Sequence, residues 1–306
     1  MPNIPDYAPL CAAADPSPRA PKTAFPPFAC DTHAHVCGPA EAFPYAAERI
    51  YTPPDAPLGA YRALLAALGV ERAVLVQPSV YGTDNTAMLA ALRETGAGLR
   101  GVAVIEPTLS KAEIADMHAA GVRGIRLNVV DRREGKNLVP VELVKTLVGL
   151  IGEHGWHLEF LVNFDEAKDF AAQVKDLPVD IVLGHLGYPK SGAAGWPEHP
   201  GFSHLLRLID GGHCWVKLTG PYRISASADV PYDDVARAAQ RLAAAAAERL
   251  VWGTDWPHVM MKKRMPNDGE LADLLELWVP DATARTRILV DNPAALYGFE
   301  PGEKLS

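Results

Sequence analysis

The sequence predicts an α/β chain folded as a single (β/α)8, or TIM, barrel. Three observations predict it. A length of 306 residues suits one such barrel. From residue 28 onward, short β-branched or apolar runs alternate eight times with helix-period stretches. Ionisable residues then collect where those runs end. The alternation implies a parallel sheet, and a parallel barrel presents its chemistry at the C-terminal ends of its strands. An open doubly wound sheet is the rival. No G-x-G-x-x-G follows the first run, so its dinucleotide-binding version has no support.

Residues 1–27 carry eight prolines. Proline fixes φ and removes a donor, so this segment is neither helix nor central strand. It reads as an extended N-terminal arm, laid on the barrel exterior or on a neighbouring subunit of a homo-oligomer, or else as a disordered tail. Residues 28–306 form the barrel domain. Strands are expected at 28–33, 73–77, 101–106, 124–129, 157–163, 180–184, 214–218 and 250–253. Tyr61, Leu64, Leu65 and Leu68 stand at i, i+3, i+4 and i+7 and define one buried helix face. Residues 138–153 place Val141, Val144, Val148 and Ile151 similarly, and 233–249 is alanine-rich and helix-favouring. Gly69, Gly121 and Gly155 follow helical stretches, as a left-handed C-cap prefers. Terminal helices are expected at 271–278 and 282–289. Asp291-Asn292-Pro293 should break the run, with 294–299 closing the fold.

Composition bounds the function. The chain is 48% hydrophobic and 22% charged, as in an ordinary globular domain, and its formal net charge of -8 argues against nucleic-acid or anionic-membrane partners. No apolar run approaches a membrane span, and the N-terminus lacks a signal peptide's basic start and apolar core. Cys11, Cys30, Cys37 and Cys214 show neither metal spacing nor a dense disulfide pattern, so four free, buried thiols in a reducing cytoplasm are expected.

The candidate site starts at Asp31-Thr32-His33-Ala34-His35. Side chains two apart on a strand share a face, so His33 and His35 can bind one divalent metal or polarise one carbonyl oxygen. Other strand ends carry Ser79, Arg126 with Asn128, His185, Tyr222-Arg223 and Asp255. Each has a structural explanation by itself. Their collection at one rim is the signal.

The pattern His-x-His, a strand-six His and a strand-eight Asp resembles the amidohydrolase superfamily. Within it, Cys30-Asp31-Thr32-His33-Ala34-His35-Val36, Arg49-Ile50-Tyr51-Thr52-Pro53-Pro54, Val76-Gln77-Pro78-Ser79, Gly124-Ile125-Arg126-Leu127-Asn128 and Trp252-Gly253-Thr254-Asp255-Trp256-Pro257-His258 resemble the 2-pyrone-4,6-dicarboxylate lactonase group. The resemblance implies that Asp255 activates water and that His33, His35 and His185 polarise a lactone carbonyl. It implies that Tyr51, Ser79, Arg126, Arg132 and Arg223 hold an acidic substrate. Guanidinium forks suit carboxylates, which agrees.

Two positions depart from the group's pattern. Phe160 or Leu161 stands where the lactonases carry a strand-five tyrosine, and Val259-Met260-Met261 replaces a polar amide. Both changes touch the substrate, and a muconolactone or sulfomuconolactone is the alternative. Strand four offers no lysine or glutamate to bridge two metals. No metal is expected to be required. A single zinc on His33, His35, His185 and Asp255, as in the sulfomuconolactone hydrolases, is the alternative. Two further readings stand beside hydrolysis: a metal-dependent decarboxylase of aromatic acids from the same superfamily, and a non-catalytic barrel that binds a small acid. His258 reads as a structural histidine ahead of a donor behind the site, Asn163 equally as a cleft residue or a strand-end hydrogen bond, and Arg133 as solvated ahead of a second carboxylate clamp.

Overall fold

The computed structural model describes residues 7–131 and 135–305. Among these, eight strands form one parallel sheet in sequential order: β1 (Cys30–Ala34), β2 (Arg72–Val76), β3 (Leu99–Ala103), β4 (Val122–Asn128), β5 (His157–Leu161), β6 (Ile181–Leu183), β7 (Cys214–Leu218) and β8 (Leu250–Trp252). The helices are α1 (Leu58–Leu68), α2 (Thr86–Thr95), α3 (Lys111–Ala119), α4 (Val141–Ile151), α5 (Phe170–Val174), α6 (Pro200–Asp210), α7 (Asp233–Ala246), α8 (Asp268–Trp278), α9 (Ala282–Thr286) and α10 (Asn292–Tyr297). Strand ends shift by a few residues from the expected bounds, because the rim continues as extended loop without a ladder.

The seam between β8 and β1 closes the barrel without a regular ladder. Thr32 Oγ1 donates to Trp252 O at 2.8 Å, Asp255 N to His33 O at 2.8 Å and His35 N to Trp256 O at 2.8 Å. Asp31, fully buried, accepts from four donors: His33 N (3.1 Å), Thr254 N (2.9 Å), the Thr254 hydroxyl (2.6 Å) and the Tyr61 hydroxyl (2.9 Å). A Cβ on Gly253 would lie 2.7 Å from His33 N, so the seam needs glycine there.

Helix α1 buries the expected Tyr61, Leu64, Leu65 and Leu68, and ends at Gly69 in the left-handed region. Asp291-Asn292-Pro293 does not break the C-terminal run. A π-turn at Arg287–Asp291 leads straight into α10. The proline follows the i→i−5 bond from Asn292 N to Arg287 O, and having no N–H of its own it leaves no donor unpaired in the run. Asn292 Nδ2 donates to Ala247 O and Leu250 O at 2.8 and 2.6 Å, which docks α10 on β8.

The arm, from residue 7, packs on its own barrel. Arg19 pairs with Asp273 at 2.6 Å, and Phe25 meets the Trp252 ring edge-on at 5.1 Å. All four cysteines are free. Cys30, Cys37 and Cys214 are buried, but Cys11 is only half-buried, because it rides on the arm instead of in the core. No helix among the described residues is long and apolar enough to cross a membrane.

His157 opens β5 on the barrel floor, edge-on to Tyr297 at 5.2 Å. Burial pulls its pKa down to about 3, with the Lys217 charge adding to the effect. The sign of the consequence follows from linkage. Below the unfolded imidazole value the unfolded chain binds a proton that the folded chain does not, so stability falls as pH drops from about 6.5 toward about 3. His157→Phe should remove this term. Between pH 7 and pH 5 the parent should lose roughly 2 kcal/mol more stability than the variant by urea unfolding. Equal losses in both proteins would refute the assignment.

Candidate active site

A cleft of about 360 Å³ opens at the C-terminal strand ends, with His35, Arg126, His185, Arg223 and Asp255 among its walls. Asp255 follows β8 with φ 65°, a left-handed conformation that Asp adopts more readily than most residues. Its Oδ2 accepts from the Tyr222 hydroxyl and from Arg223 Nε, both at 2.6 Å. Its Oδ1 is buried and has no hydrogen-bond partner. His33 Nε2 stands 3.7 Å from that oxygen and His35 Nε2 stands 3.8 Å from it. His33 Nε2 likewise has no partner.

Neighbours constrain the rings. His35 Nδ1 lies 2.7 Å from Val76 O, and a carbonyl only accepts. The proton is therefore on Nδ1, and Nε2 turns a lone pair toward the carboxylate. Two acceptors facing each other across 3.8 Å require a hydrogen or a cation between them. His185 Nδ1 sits 2.8 Å from the Thr219 hydroxyl. Beneath His33, Lys217 Nζ donates to Thr32 O at 2.8 Å, pairs with Glu159 Oε2 at 2.6 Å and faces His33 Nδ1 at 3.2 Å. Glu159 Oε1 lies 3.5 Å from the same Nδ1, so the contacts serve either tautomer: Nε2 is a donor into the cleft when the ammonium occupies Nδ1, and a free lone pair when Nδ1 donates to Glu159.

Burial lowers the pKa of all three histidines. His35 falls to about 4, with Arg126 adding to burial. His185 falls to about 3, although Asp255 pulls the other way, and His33 falls well below its usual value, with Lys217 contributing after burial. Burial by itself would raise Asp255, but Arg223 and then His185 hold it well below the usual carboxylate range. The result is an ionised carboxylate among neutral imidazoles.

Tyr51 and Ser79 line the cleft together, and Arg126 reaches it while donating to Gln77 O at 3.2 Å. Arg223 also lines the cleft, with its Nε donating to Asp255 and its Nη2 donating to Val259 O at 3.4 Å, so part of the guanidinium is already engaged. Arg132 and Arg133 lie outside the described residues. At strand five, Phe160 packs into the core against Phe170, and Leu161 lines the cleft. Asn163 Nδ2 donates to Tyr188 O at 2.8 Å, which is a structural bond.

The residue 30–299 segment matches the family model described as Amidohydrolase. The chain belongs to the amidohydrolase family. It is 41% identical over 283 residues to a 4-sulfomuconolactone hydrolase of Rhizobium radiobacter, covering 90% of this chain and 91% of the relative. It is 36% identical over 292 residues to a 2-pyrone-4,6-dicarboxylate hydrolase of Comamonas testosteroni, covering 92% and 93%. The crystal structure of a Pseudomonas putida protein described as a candidate 2-pyrone-4,6-dicarboxylic acid hydrolase superposes with a TM-score of 0.77 at 36% identity, covering 90% of this chain and 99% of that one.

The donor set of this amidohydrolase fits one divalent ion. Ligand atoms of His33, His185 and Asp255 lie within 4.8 Å of one another, and two of these residues carry a buried acceptor or ring nitrogen without a partner. His35 adjoins the cluster. β4 contributes the cation Arg126 and no anionic ligand, so the set serves a single ion.

Sequence reasoning named Tyr222 and His258 without their pairing, and missed Lys217 and Glu159 beneath His33. Tyr222 OH lies 3.0 Å from His258 Nδ1, and His258 Nε2 lies 3.1 Å from Asp268 Oδ1. This places His258 behind Asp255 in one chain of contacts. Lys217 and Glu159 carried a readable signal: each is a charged residue in the middle of an otherwise buried strand. Lys217→Met would strand the Glu159 carboxylate in the core and should cost roughly 3–5 kcal/mol. Lys217→Met/Glu159→Gln should recover most of that loss by urea unfolding. A double variant as unstable as the single would show that the two groups do not act as a pair.

Proposed function

We propose that this amidohydrolase hydrolyses an acidic lactone of aromatic-compound catabolism in the cytoplasm, with 2-pyrone-4,6-dicarboxylate as the first candidate. The observation that carries the reading is the divided carboxylate of Asp255. One oxygen is tied down by Tyr222 and Arg223, and the other is free, buried and flanked by imidazoles. The lactone hydrolases at 41% and 36% identity support the substrate class.

The residues divide the work as their protons dictate. A water against Asp255 Oδ1 and His35 Nε2 finds two acceptors, which orient it and draw its proton toward Asp255. Its oxygen attacks the lactone carbonyl, and the π pair moves onto the carbonyl oxygen. In its Nε2–H tautomer His33 is the donor aimed at that developing charge, with Arg126 beside it. Collapse breaks the acyl–oxygen bond of the ring. The departing ring oxygen takes the proton from Asp255, and the new carboxyl group ionises. Tyr51, Ser79, Arg126, Arg132 and the free part of Arg223 bind the substrate's acidic groups. No step in this scheme requires a metal. Bound on His33, His185 and Asp255, a zinc ion would supply Lewis-acid polarisation of the carbonyl.

The higher identity to the 4-sulfomuconolactone hydrolase, 41% against 36%, favours a second reading, hydrolysis of a 4-sulfomuconolactone with zinc present. A metal-dependent decarboxylase is the remaining reading. Metal-stripped protein should consume 2-pyrone-4,6-dicarboxylate, followed by loss of pyrone absorbance, and Asp255→Asn should lower kcat/KM by about 10²–10⁴. With His35 and His185 at about 4 and about 3, kcat/KM should stay flat from roughly pH 6 to 8. Activity on 4-sulfomuconolactone only after zinc addition would select the second reading. Failure on both lactones, with and without zinc, would overturn lactone hydrolysis.

A further inference from the structure

We propose that the N-terminal arm sets the width of the cleft, by fastening the wall that carries Tyr51 to the opposite wall at Val259–Met261. Its catalytic readout rests on the lactonase reading; its structural readout does not.

The arm touches both walls within a few residues. On one side, Leu10 forms a parallel bridge with Thr52, the residue after Tyr51. Cys11 N donates to Thr52 O at 2.8 Å, and Thr52 N donates to Pro9 O at 2.9 Å. The Thr52 hydroxyl donates to Ala8 O at 2.7 Å and accepts from Arg49 Nε at 3.1 Å. On the other side, Met260 N donates to Cys11 Sγ at 3.3 Å. Tyr51 and Val259 share one small apolar cluster, with Cys11 packed against it. The same loop is fastened again at its far end. Asn267, the N-cap of α8, donates through Nδ2 to Asp15 Oδ2 at 2.8 Å and to Ser17 O at 2.9 Å, and Arg19 N donates to Asn267 Oδ1 at 3.1 Å.

Cys11 and Thr52 are therefore positioning residues. Neither is among the residues that line the cleft, but each is bonded within one residue of one that does: Tyr51 on one wall, Met260 on the other. A segment that served only to cover the barrel would not need to bond both lips of its mouth. The geometry also accounts for the half-buried state of Cys11, whose sulfur accepts a backbone bond from a cleft wall instead of packing in the core.

The test compares the full-length parent with Cys11→Ala/Thr52→Val, and with Thr52→Ser as the conservative control. The double variant removes the sulfur acceptor and the bridging hydroxyl and leaves the catalytic groups in place. KM for 2-pyrone-4,6-dicarboxylate should rise about five- to tenfold with kcat within twofold, and Thr52→Ser should match the parent. Hydrogen–deuterium exchange should quicken together in peptides spanning 49–53 and 258–263. Unchanged KM with unchanged exchange would overturn the proposal. So would a loss confined to kcat, or quickened exchange in only one of the two loops. If neither lactone is turned over, the lactonase reading fails, and paired or unpaired quickening of exchange still decides the arm's role.

Discussion

Everything at the mouth of this barrel depends on the buried carboxylate of Asp31. A parallel barrel must join its last strand to its first, and here β8 is only three residues long. The seam is made by a side chain. Asp31 gathers two backbone N–H groups and two hydroxyls, from His33, Thr254 and Tyr61, onto its two oxygens. Burial pushes its pKa to about 6, and only the bonds from Thr254, His33 and Tyr61 keep it from rising further. The same contacts fix the backbone at His33 on one strand and at Thr254-Asp255 on the other. The Asp255 carboxylate and its first imidazole thus hang from one structural tie.

A second layer of charge lies below the first. Lys217 and Glu159 are both buried in the barrel interior, where two isolated charges would be costly to desolvate. Their attraction, together with the bond from Lys217 to Thr32 O, offsets that cost. The lysine also faces His33 Nδ1, so the pair decides which ring nitrogen points a proton upward. A group that never reaches the cleft thereby determines whether His33 acts there as donor or acceptor.

Much of this was legible in the sequence, and the rest was not for identifiable reasons. The strands could be read because buried parallel strands are apolar runs, and α1 because its four core residues repeat at helical spacing. His33, His35, His185 and Asp255 could be read because strand-end position converts sequence order into spatial convergence. Pairing could not be read. Nothing in the order of residues shows that Arg223 would turn its Nε onto Asp255, or that Tyr222 and His258 would stand behind the same carboxylate. The expected break at Pro293 failed for a local reason, since a π-turn delivers that proline into the first turn of α10. Proline content leaves the arm open between three placements, because it states what a segment is not, whereas docking depends on particular bonds to Asn267 and Thr52.

The ties on Asp255 impose a compromise on the chemistry. Arg223 holds the carboxylate well below its usual range and so ionised near neutral pH, but a strongly stabilised anion is a weak base. The arrangement resolves this by division. Tyr222 and Arg223 act on Oδ2, while Oδ1 has no donor, so the basic character that remains is concentrated on the oxygen facing His33 and His35. An acidic substrate adds a further effect. Its carboxylate would draw on the same guanidinium that stabilises Asp255, and any weakening of the Arg223 contact raises the basicity of Oδ1 when substrate is in place. The arginine that keeps the resting site ionised is thus the group through which an anionic ligand can sharpen it.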